Sequence, residues 1–354
     1  MAVKVVIVDD SPLARQILQA VLSADKRIVV VGQAVDPYMA REVIKKTEPD
    51  VITLDVEMPK MSGLTFLKNL MRLRPMPVVM VSSLTHAGAD VTLDALEIGA
   101  VDFIAKPAGE DPESFNQIAQ EICDKVVSAA QAKVKAFSPE LFAQRSQLTI
   151  AATSARSSSL VAVGASTGGV EALRDLLSVL PANLPPMVVT QHIPEAFSRS
   201  FANRLNKICQ LTIVEAEAGM RLRPGWVYIA PGSHHLTVHR QGNDYVLALN
   251  DGELVNRHRP SVDVMYESIS NTYRNSVLAI LLTGMGKDGA QGLLNLRRSG
   301  FNTVCQDQQS SVVWGMPGAA VALDAAEKVL SLNEISKEIV DWASKNARIS
   351  QLSS

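Results

Sequence analysis

Residues 161–173 read VAVGASTGGVEAL, an apolar run that passes through a loop of small residues into a segment with helical spacing. Such a strand, loop and helix are typical of the βα unit from which parallel sheets are built. The loop fits two kinds of chemistry, because backbone N–H groups at a helix N-terminus bind phosphate, whereas a sharp turn exposes a nucleophile. In the second case the nucleophile is the Ser166 hydroxyl. The neighbouring strands decide between these two interpretations.

The same alternation of apolar runs and helical segments continues through the second half of the chain. Alternating residues between about 227 and 249, around PGSHH and RQGNDY, indicate an inserted antiparallel hairpin. This half is therefore predicted to be an α/β domain with a parallel sheet. Its predicted strands are residues 160–163, 187–190, 211–214, 277–282 and 303–306.

The first half shows a second α/β pattern of the same kind. Short β-branched runs alternate with helical segments, and an amphipathic stretch at about residues 114–130 closes the unit. Both halves are therefore predicted to be doubly wound parallel-sheet domains. The predicted strands of the first half are residues 3–8, 28–31, 51–54, 78–81 and 101–104.

A polar segment joins the two domains. From residue 131 to residue 159 the apolar rhythm is lost, and SARSSS stands just before the next strand. A segment with so little apolar surface to bury is predicted to be a linker. We therefore divide the chain into a first domain at residues 1–125, a linker at 126–159 and a second domain at 160–346.

Composition excludes several classes of protein. The 354 residues suffice for about two domains, and 34 basic against 36 acidic side chains leave no charge excess for generic nucleic-acid binding. Three cysteines without any C-x-x-C spacing indicate neither a disulfide framework nor a cysteine zinc site. Apolar runs stay far below the ~18 residues of a membrane span, and Asp9 and Asp10 stop the N-terminal run. We expect a cytoplasmic protein without a signal peptide.

Acidic side chains gather at the predicted carboxyl edge of the first sheet. Asp9 and Asp10 follow the first strand, and Asp55 ends the third. Because sites in open parallel sheets form beyond the carboxyl ends of the strands, these carboxylates should converge with Lys106, which follows the fifth strand. Such a set suits magnesium, with Asp55 accepting a phosphoryl group and Lys106 neutralising it. Ser82, at the end of the fourth strand, could report that charge by hydrogen bonding.

Taken singly, these aspartates could instead cap the following helix or turn. The motifs VDDSP, LDVEMP with SGL, VSS and FIAKP nevertheless resemble, in order and spacing, the response-regulator receiver domain over about the first 125 residues. The resemblance implies phosphorylation of Asp55 by a histidine kinase, Ser82 as the switch hydroxyl, and Phe103 in the place of the aromatic switch. The implied magnesium ligands are Asp9, Asp10, Asp55 and the main-chain carbonyl of Glu57.

The loop GASTGG lacks the marks of a nucleotide site. Its glycines do not make G-x-G-x-x-G, no G-K-[ST] is present, and the second strand ends in Gln191 and His192 rather than in an acid. The same letters fit G-x-S-x-G around Ser166, a turn that exposes a hydroxyl. Since serine is also a common helix N-cap, the motif by itself leaves the choice open.

A serine nucleophile needs a general base within reach and a carboxylate that orients this base. His192 is the histidine that ends a predicted strand, and Asp288 follows the buried strand of LAILLTGMGKDGAQG. Ser166, His192 and Asp288 are therefore predicted to meet at one sheet edge. Their chain order differs from that of α/β-hydrolases, so G-x-S-x-G is not by itself a sign of that fold. The structural alternatives are a core histidine and a helix-capping aspartate.

Two further interpretations compete with this triad. His234, His235 and His239 form a cluster that could bind zinc, but they lie on the predicted hairpin without a carboxylate at suitable spacing. Asp263, in NRHRPSVDVMY, could replace Asp288 as the orienting acid, but it begins a predicted helix away from the strand ends. We therefore favour Asp288 and expect no metal in the second domain.

The second half, at about residues 160–346, resembles the catalytic domain of chemotaxis protein-glutamate methylesterases. The matching stretches are GASTGG, QHIP, APG with the following histidines, HRPSVD and LLTGMGKDG, in the order of that family. The two resemblances imply a flavodoxin-like receiver followed by a Rossmann-like, three-layer catalytic domain with a hairpin. They imply Ser166, His192 and Asp288 as the catalytic triad and the Met285 main-chain N–H as an oxyanion donor.

This resemblance further implies hydrolysis of glutamate methyl esters on chemoreceptors and deamidation of certain receptor glutamines. The unphosphorylated receiver is expected to cover the triad edge, and phosphorylation to open it. We expect chemoreceptors and a histidine kinase as partners, contact with the membrane only through receptors, no nucleic acid, and a monomer. The alternatives are an output domain that only binds a partner and one that binds a nucleotide.

Overall fold

The computed structural model describes residues 2–58, 60–82, 86–106, 112–134 and 159–352. The chain divides into two compact units, residues 1–143 and residues 144–354. Of the predicted linker, residues 135–158 lie outside the described residues, whereas residues 126–129 belong to the last helix of the first unit. None of the described helices is both long and apolar enough to cross a membrane.

The first unit is one parallel sheet with helices between its strands. The strands are β1 (Val3–Val8), β2 (Ile28–Ala34), β3 (Val51–Asp55), β4 (Val78–Ser82) and β5 (Asp102–Ala105). The helices are α1 (Pro12–Ala24), α2 (Pro37–Thr47), α3 (Gly63–Leu73), α4 (His86–Ile98) and α5 (Pro112–Ala129). The strand order β2-β1-β3-β4-β5, with every pair parallel, confirms the doubly wound, flavodoxin-like prediction.

Local sequence explains where the first helix begins. The Ser11 hydroxyl accepts a hydrogen bond from the Ala14 N–H and caps α1, whose first position is Pro12. The cap of α1 is therefore Ser11 and neither of the two preceding aspartates, so Asp9 and Asp10 are left for the carboxyl edge of the sheet. Both β3 and β4 are buried along their whole length, because helices cover the two faces of the sheet.

The second unit contains a seven-stranded parallel sheet and a separate hairpin. The sheet strands are β6 (Leu160–Ala165), β7 (Met187–Gln191), β8 (Thr212–Glu215), β9 (Trp226–Ile229), β12 (Val277–Leu281), β13 (Asn302–Gln306) and β14 (Lys328–Leu330). The hairpin strands are β10 (His235–Gln241) and β11 (Asp244–Asn250). The helices are α6 (Gly169–Ser178), α7 (Glu195–Ile208), α8 (Val262–Thr272), α9 (Ala290–Arg298), α10 (Met316–Ala322) and α11 (Leu332–Leu352).

The strand order β14-β13-β12-β6-β7-β9-β8 confirms the predicted α/β class. Two sheet strands had no separate prediction. The first, β9, falls inside the stretch that was assigned to the hairpin, because its four residues continue the same alternation without an intervening helix. The second, β14, is a three-residue edge strand whose residues are partly exposed, so it lacks the apolar run that marks a buried strand.

The topology places three strand ends side by side. In the sheet, β6 lies between β12 on one side and β7 on the other, and both pairs are parallel. The direction of strand addition changes at β6, and loops beyond such a switch point diverge to form a crevice. The loops that follow β6, β7 and β12 therefore border a single crevice. The hairpin packs through its buried Leu236 and Val238 into the same core as Tyr266 of α8.

Candidate functional site

Small residues hold the loop after β6 in a tight turn around Ser166. Gly168 has a φ of 74°, and a Cβ added there would lie 2.6 Å from the Cβ of Val312. The Ser166 N–H donates to the Thr283 carbonyl oxygen at 3.0 Å, and Gln191 Nε2 donates to the Ser166 carbonyl oxygen at 3.0 Å. The glycines let the backbone approach its neighbours closely, and the half-buried Ser166 stays at the carboxyl edge of β6.

His192 follows β7 directly and is fixed at one ring nitrogen. Its Nε2 lies 2.8 Å from Asp288 Oδ2, and its side chain is 7% exposed. Because an ionised carboxylate only accepts hydrogen bonds, Nε2 carries the proton and Nδ1 carries the lone pair. Nδ1 is buried and has no hydrogen-bond partner among the residues that the structure describes. The basic nitrogen of this histidine is therefore Nδ1.

Asp288 is held by donors from the start of α8. Its Oδ2 accepts from the Val262 N–H at 2.7 Å, and its Oδ1 accepts from Ser261 Oγ and Asn256 Nδ2, each at 2.8 Å. Burial by itself would raise the pKa of Asp288, but the hydrogen bonds from His192, Asn256 and Val262 outweigh it and hold this pKa below its usual range. Asp288 is therefore a permanent anion at neutral pH.

The alternative roles of the two acids are resolved by their contacts. The cap residue of α9 is Gly289, without a side-chain cap, so Asp288 does not cap the helix that follows it. Asp263 accepts from the Gly292 N–H at 2.7 Å and from Asn256 Nδ2 at 2.8 Å. The carboxylate that contacts His192 is that of Asp288, whereas Asp263 faces the start of α9.

The loop after β12 approaches the loop that carries Ser166, and it does so at Gly284. A Cβ added to Gly284 would lie 2.8 Å from the Cβ of Ser166, so only glycine fits there. The Gly284 carbonyl accepts from the N–H groups of Gly315 and Met316 at 3.0 and 2.8 Å, which fixes the turn. Met285, the predicted oxyanion donor, is the next residue and is half-buried. The Met285 N–H therefore comes directly after Gly284, the residue at which this loop approaches the loop of Ser166.

The three histidines weighed as a zinc site have separate partners. His234 pairs with Asp251 at 2.9 Å, and His239 bonds Thr237 at 3.0 Å. His235 is buried, and its Nδ1 accepts from the Ser261 N–H at 3.1 Å. In the described parts of the chain, one cluster of acidic, histidine or cysteine side chains is close enough together to bind a metal. That cluster lies in the first unit and does not include these histidines. His235 instead supports the segment that holds Asp288.

Three carboxylates of the first unit form that group. Ligand oxygens of Asp9, Asp10 and Asp55 lie within 4.8 Å of one another. Lys106 Nζ lies 2.8 Å from Asp55 Oδ2 and 3.4 Å from Asp9 Oδ2. Burial, and next to it the charge of Asp9, raise the pKa of Asp55 to about 6 against the opposing effect of Lys106. Among the described residues, buried Asp55 Oδ1 and Asp9 Oδ2 have no hydrogen-bond partner, which fits a hard divalent cation.

The other predicted receiver residues lie on the loop after β3, on β4 and on β5. Glu57 lies in the loop just beyond Asp55. Ser82 ends β4 and accepts a hydrogen bond from Thr92 Oγ1 of α4 at 2.8 Å. Phe103 is buried in β5, with Lys125 Nζ 5.1 Å from its ring centroid. The Ser82–Thr92 bond links the end of β4 to α4.

Sequence reasoning missed the residues that hold Asp288. Ser261 belongs to HRPSVD, which carried a resemblance but no chemical role, and Asn256 stands two residues before that stretch. One local signal existed for Ser261, since serine before an apolar helical segment is typical of an N-cap, and its Oγ does accept from the Val264 N–H. Thr92 was also missed, because α4 has no marked polar pattern around it.

Comparison with known proteins gives matches to both units. Residues 161–339 match the family described as CheB methylesterase, and residues 5–118 match the response regulator receiver domain. The chain is 53% identical over 350 residues to protein-glutamate methylesterase/protein-glutamine glutaminase 1 of Hahella chejuensis, covering 97% of each chain. It is 48% identical over 345 residues to a protein of Thiobacillus denitrificans named protein-glutamate methylesterase/protein-glutamine glutaminase, again covering 97% of each.

A solved structure resembles the second unit. The catalytic domain of Thermotoga maritima CheB methylesterase is 36% identical, with a TM-score of 0.51. The match covers 52% of this chain and 97% of that domain. The likeness therefore extends over nearly all of that solved domain.

Proposed function

The chain belongs to the CheB methylesterase family, and we propose that it removes methyl groups from glutamate methyl esters of chemoreceptors and deamidates specific receptor glutamines. It is a hydrolase whose activity is controlled through its receiver domain. The observation that carries this proposal is the arrangement of residues at the adjacent ends of β6, β7 and β12. There a hydrogen-bonded His192 and Asp288 share the sheet edge with Ser166 on its glycine turn.

We assign the nucleophile to Ser166 and the general base to His192. The Ser166 oxygen attacks the γ-carbonyl carbon, and His192 Nδ1 takes the hydroxyl proton. The imidazolium then gives this proton to the leaving oxygen, so methanol departs and a glutamyl ester of Ser166 remains. A water molecule repeats the sequence, and glutamate and the free serine are formed. With a glutamine substrate the leaving group is ammonia.

Asp288 acts in this sequence through the other nitrogen of the ring. The Nε2–H to Asp288 bond keeps the proton off Nδ1 in the resting enzyme, so the base is in its working tautomer. The low pKa of Asp288 keeps its charge in place while the imidazolium exists. Asn256, Ser261 and the Val262 N–H prevent the carboxylate from turning away.

The oxyanion of the tetrahedral intermediate needs a preorganised donor. The N–H of Ser166 is already bonded to Thr283, so it is not the donor we assign. We assign the role to the Met285 N–H, since Gly284 brings this loop against Ser166. One such donor contributes about 3 kcal/mol to the stabilisation of a comparable transition state.

Control is proposed to act through Asp55. Asp9, Asp10 and Asp55, with the Glu57 carbonyl, would hold Mg²⁺, which neutralises charge on the phosphoryl group when it is bound. Lys106 pairs with the charge at Asp55. In this proposal the Ser82 hydroxyl would hydrogen-bond the phosphoryl oxygens, and Phe103 would act as the aromatic switch. Shifting a two-state equilibrium from 1:99 to 99:1 takes about 5.5 kcal/mol, which phosphorylation must supply by favouring the active arrangement.

The receiver domain implies a kinase as phosphodonor, and the family acts on chemoreceptors. We further propose a histidine as the phosphorylated group of that kinase. The remaining proposals are a cytoplasmic location with membrane contact only through receptors, a monomer, no nucleic-acid partner, and no metal in the esterase reaction.

The decisive test is methanol release from methylated receptor membranes, measured with and without acetyl phosphate as a small phosphodonor. The proposal predicts release by the full chain and a higher rate with the phosphodonor. An output domain that only binds a partner would release no methanol, and that result would refute the hydrolase proposal. Equal rates of methanol release with and without acetyl phosphate would refute the proposed control by phosphorylation.

A further inference from the structure

One face of the general base is covered by a second histidine. The rings of His192 and His258 are stacked, with centroids 3.8 Å apart and planes inclined by 18°. The Asp288 hydrogen bond holds His192 at Nε2, while no described residue bonds Nδ1. A ring held at a single atom can still swing about that point. A flat ring packed against its face restricts that swing and so defines the direction of Nδ1.

A tight turn delivers His258 to this position. Val255 and His258 exchange two main-chain hydrogen bonds, at 3.1 and 2.9 Å. The two residues between them, Asn256 and Arg257, have φ values of 51° and 68°, which is typical of a type I′ turn. Asparagine tolerates this left-handed conformation, but arginine adopts it rarely, so the backbone at Arg257 is strained. Strained residues persist where the surrounding structure determines them, and often at functional sites.

The turn is tied to the triad acid by its own side chain. Asn256 Nδ2 lies 2.8 Å from Asp288 Oδ1 and 2.8 Å from Asp263 Oδ2. The same carboxylate therefore fixes the Nε2 end of His192 and the turn that carries the stacked ring. This couples the orientation of the base to the orientation of its acid.

We infer that His258 is a positioning residue for the general base, acting through the face of its ring on His192. The ring limits the swing of His192 about its Nε2 hydrogen bond and so keeps Nδ1 aimed at the serine proton. This role rests on the proposed hydrolase function. It adds a fourth side chain on which the rate depends, although His258 itself exchanges no proton in the reaction.

Substitutions at position 258 separate a ring contact from simple packing. His258→Phe keeps a flat aromatic face, whereas His258→Leu keeps bulk without one. Two readouts apply to the full chain: kcat and KM for a peptide with one γ-glutamyl methyl ester, and the rate at which a fluorophosphonate labels Ser166. In labelling, the serine oxygen forms a bond to phosphorus, the P–F bond breaks, fluoride leaves, and His192 takes the serine proton.

We expect His258→Leu to lower kcat and the labelling rate by about tenfold or more, because small errors in geometry have large effects on acyl transfer. KM should change by less than about twofold, since this role concerns the base rather than ground-state binding. His258→Phe should recover both rates to within about threefold of wild type. The matched control is His239→Ala, an exposed histidine of the hairpin, which should match wild type.

The inference is overturned if the leucine variant keeps wild-type rates, or if the phenylalanine and leucine variants are equally slow. Thermal unfolding identifies a misfolded variant, and His258→Ala then replaces His258→Leu under the same readouts. The two readouts also separate this inference from the proposed function. If the wild-type chain is labelled at Ser166 but releases no methanol, the proposed methyl-ester substrate is refuted. The labelling rates of the His258 variants would still test the role of His258.

Discussion

Asp55 and Asp288 lie at corresponding edges of two parallel sheets, yet the pKa of Asp55 is raised and the pKa of Asp288 is lowered. Each carboxyl group is 1% exposed. Burial, together with the charge of Asp9, raises the pKa of Asp55 to about 6. Burial acts on Asp288 as well, but His192, Asn256 and Val262 donate to it and hold its pKa below the usual range. The number of donors aimed at a buried acid, and not burial alone, decides the direction in which its pKa is shifted.

The difference matches the two roles proposed for these acids. Within the part of the chain that the structure describes, an oxygen of Asp55 has no hydrogen-bond partner, and a second carboxylate lies beside it. The carboxylate oxygens of Asp55 could therefore bind a cation or accept a phosphoryl group. Asp288 has its oxygens occupied by donors, and in the proposed mechanism it keeps its charge and position during acyl transfer. One acid is therefore suited to be modified, and the other to stay constant.

The largest effect is expected from Ser166→Ala, which removes the proposed nucleophile, the hydroxyl whose proton His192 would accept. The rate of methanol release should fall by about 10⁴-fold or more, because a nucleophile and its base act as a unit. Ser178→Ala, at the far end of α6, is the matched control and should behave like wild type. Substantial activity in Ser166→Ala would remove the proposed mechanism.

Asp288→Asn tests whether the residue that bonds His192 Nε2 must carry a negative charge. The amide can no longer hold the Nε2–H tautomer or stabilise the imidazolium, so kcat should fall by about 10³- to 10⁴-fold. Asp263→Asn should lower kcat by less than about tenfold, since Asp263 faces α9 rather than His192. Equal losses in steady-state kinetics of the two variants would contradict the assignment of Asp288.

Asp55→Asn tests whether phosphorylation of Asp55 controls the rate of methanol release. Without a carboxylate to accept the phosphoryl group, the ratio of methanol-release rates with and without acetyl phosphate should fall to about 1. The wild-type chain, measured in the same preparation of receptor membranes, provides the reference ratio. A persisting response in Asp55→Asn would show that control does not pass through this residue.

The smallest effect concerns stability, and here the two acids should differ in sign. The folded-state pKa of Asp55, about 6, lies above its unfolded value of about 3.9, so its contribution is most favourable below pH 4 and is lost as the pH rises past 6. At pH 8, Asp55→Asn should therefore stabilise the first unit by about 1–3 kcal/mol, and this gain should vanish near pH 4. Asp288→Asn should destabilise the second unit by about 1–3 kcal/mol, because buried donors lose their charged acceptor.

Hydrogen exchange in increasing urea, followed by mass spectrometry on peptides from β3 and β12, measures these two stabilities separately. The depressed pKa of Asp288 predicts stability that is present at neutral pH and lost as the pH falls through its folded-state value. Shifts of the same sign at pH 8 in the two variants would contradict the electrostatic contrast between the two sites.

The sequence allowed the two sheets and the edge of each site to be predicted, for a geometric reason. Parallel strands end on the same side, so Ser166 after β6, His192 after β7 and Asp288 after β12 had to share an edge once their strands were adjacent. The short strands β9 and β14 escaped prediction, because one continues an alternating pattern and the other is a three-residue edge strand.

The electrostatics of the sites could not be predicted in the same way. Asn256 and Ser261 reach Asp288 from 32 and 27 residues earlier in the chain, and they do so only because α8 begins beside the loop after β12. The basic nitrogen of His192 likewise depends on which atom meets Asp288. Contacts of this kind follow from the packing of loops, for which no periodic pattern exists.

The proposed serine mechanism is tested most directly by trapping its covalent intermediate. The full chain is mixed with a peptide that carries one γ-glutamyl methyl ester, quenched in acid within its first turnovers, digested and analysed by mass spectrometry. We predict a glutamyl ester on Ser166, formed faster after treatment with acetyl phosphate and absent from Ser166→Ala. Methanol release without any acyl group on Ser166, or an adduct on another residue, would contradict the mechanism.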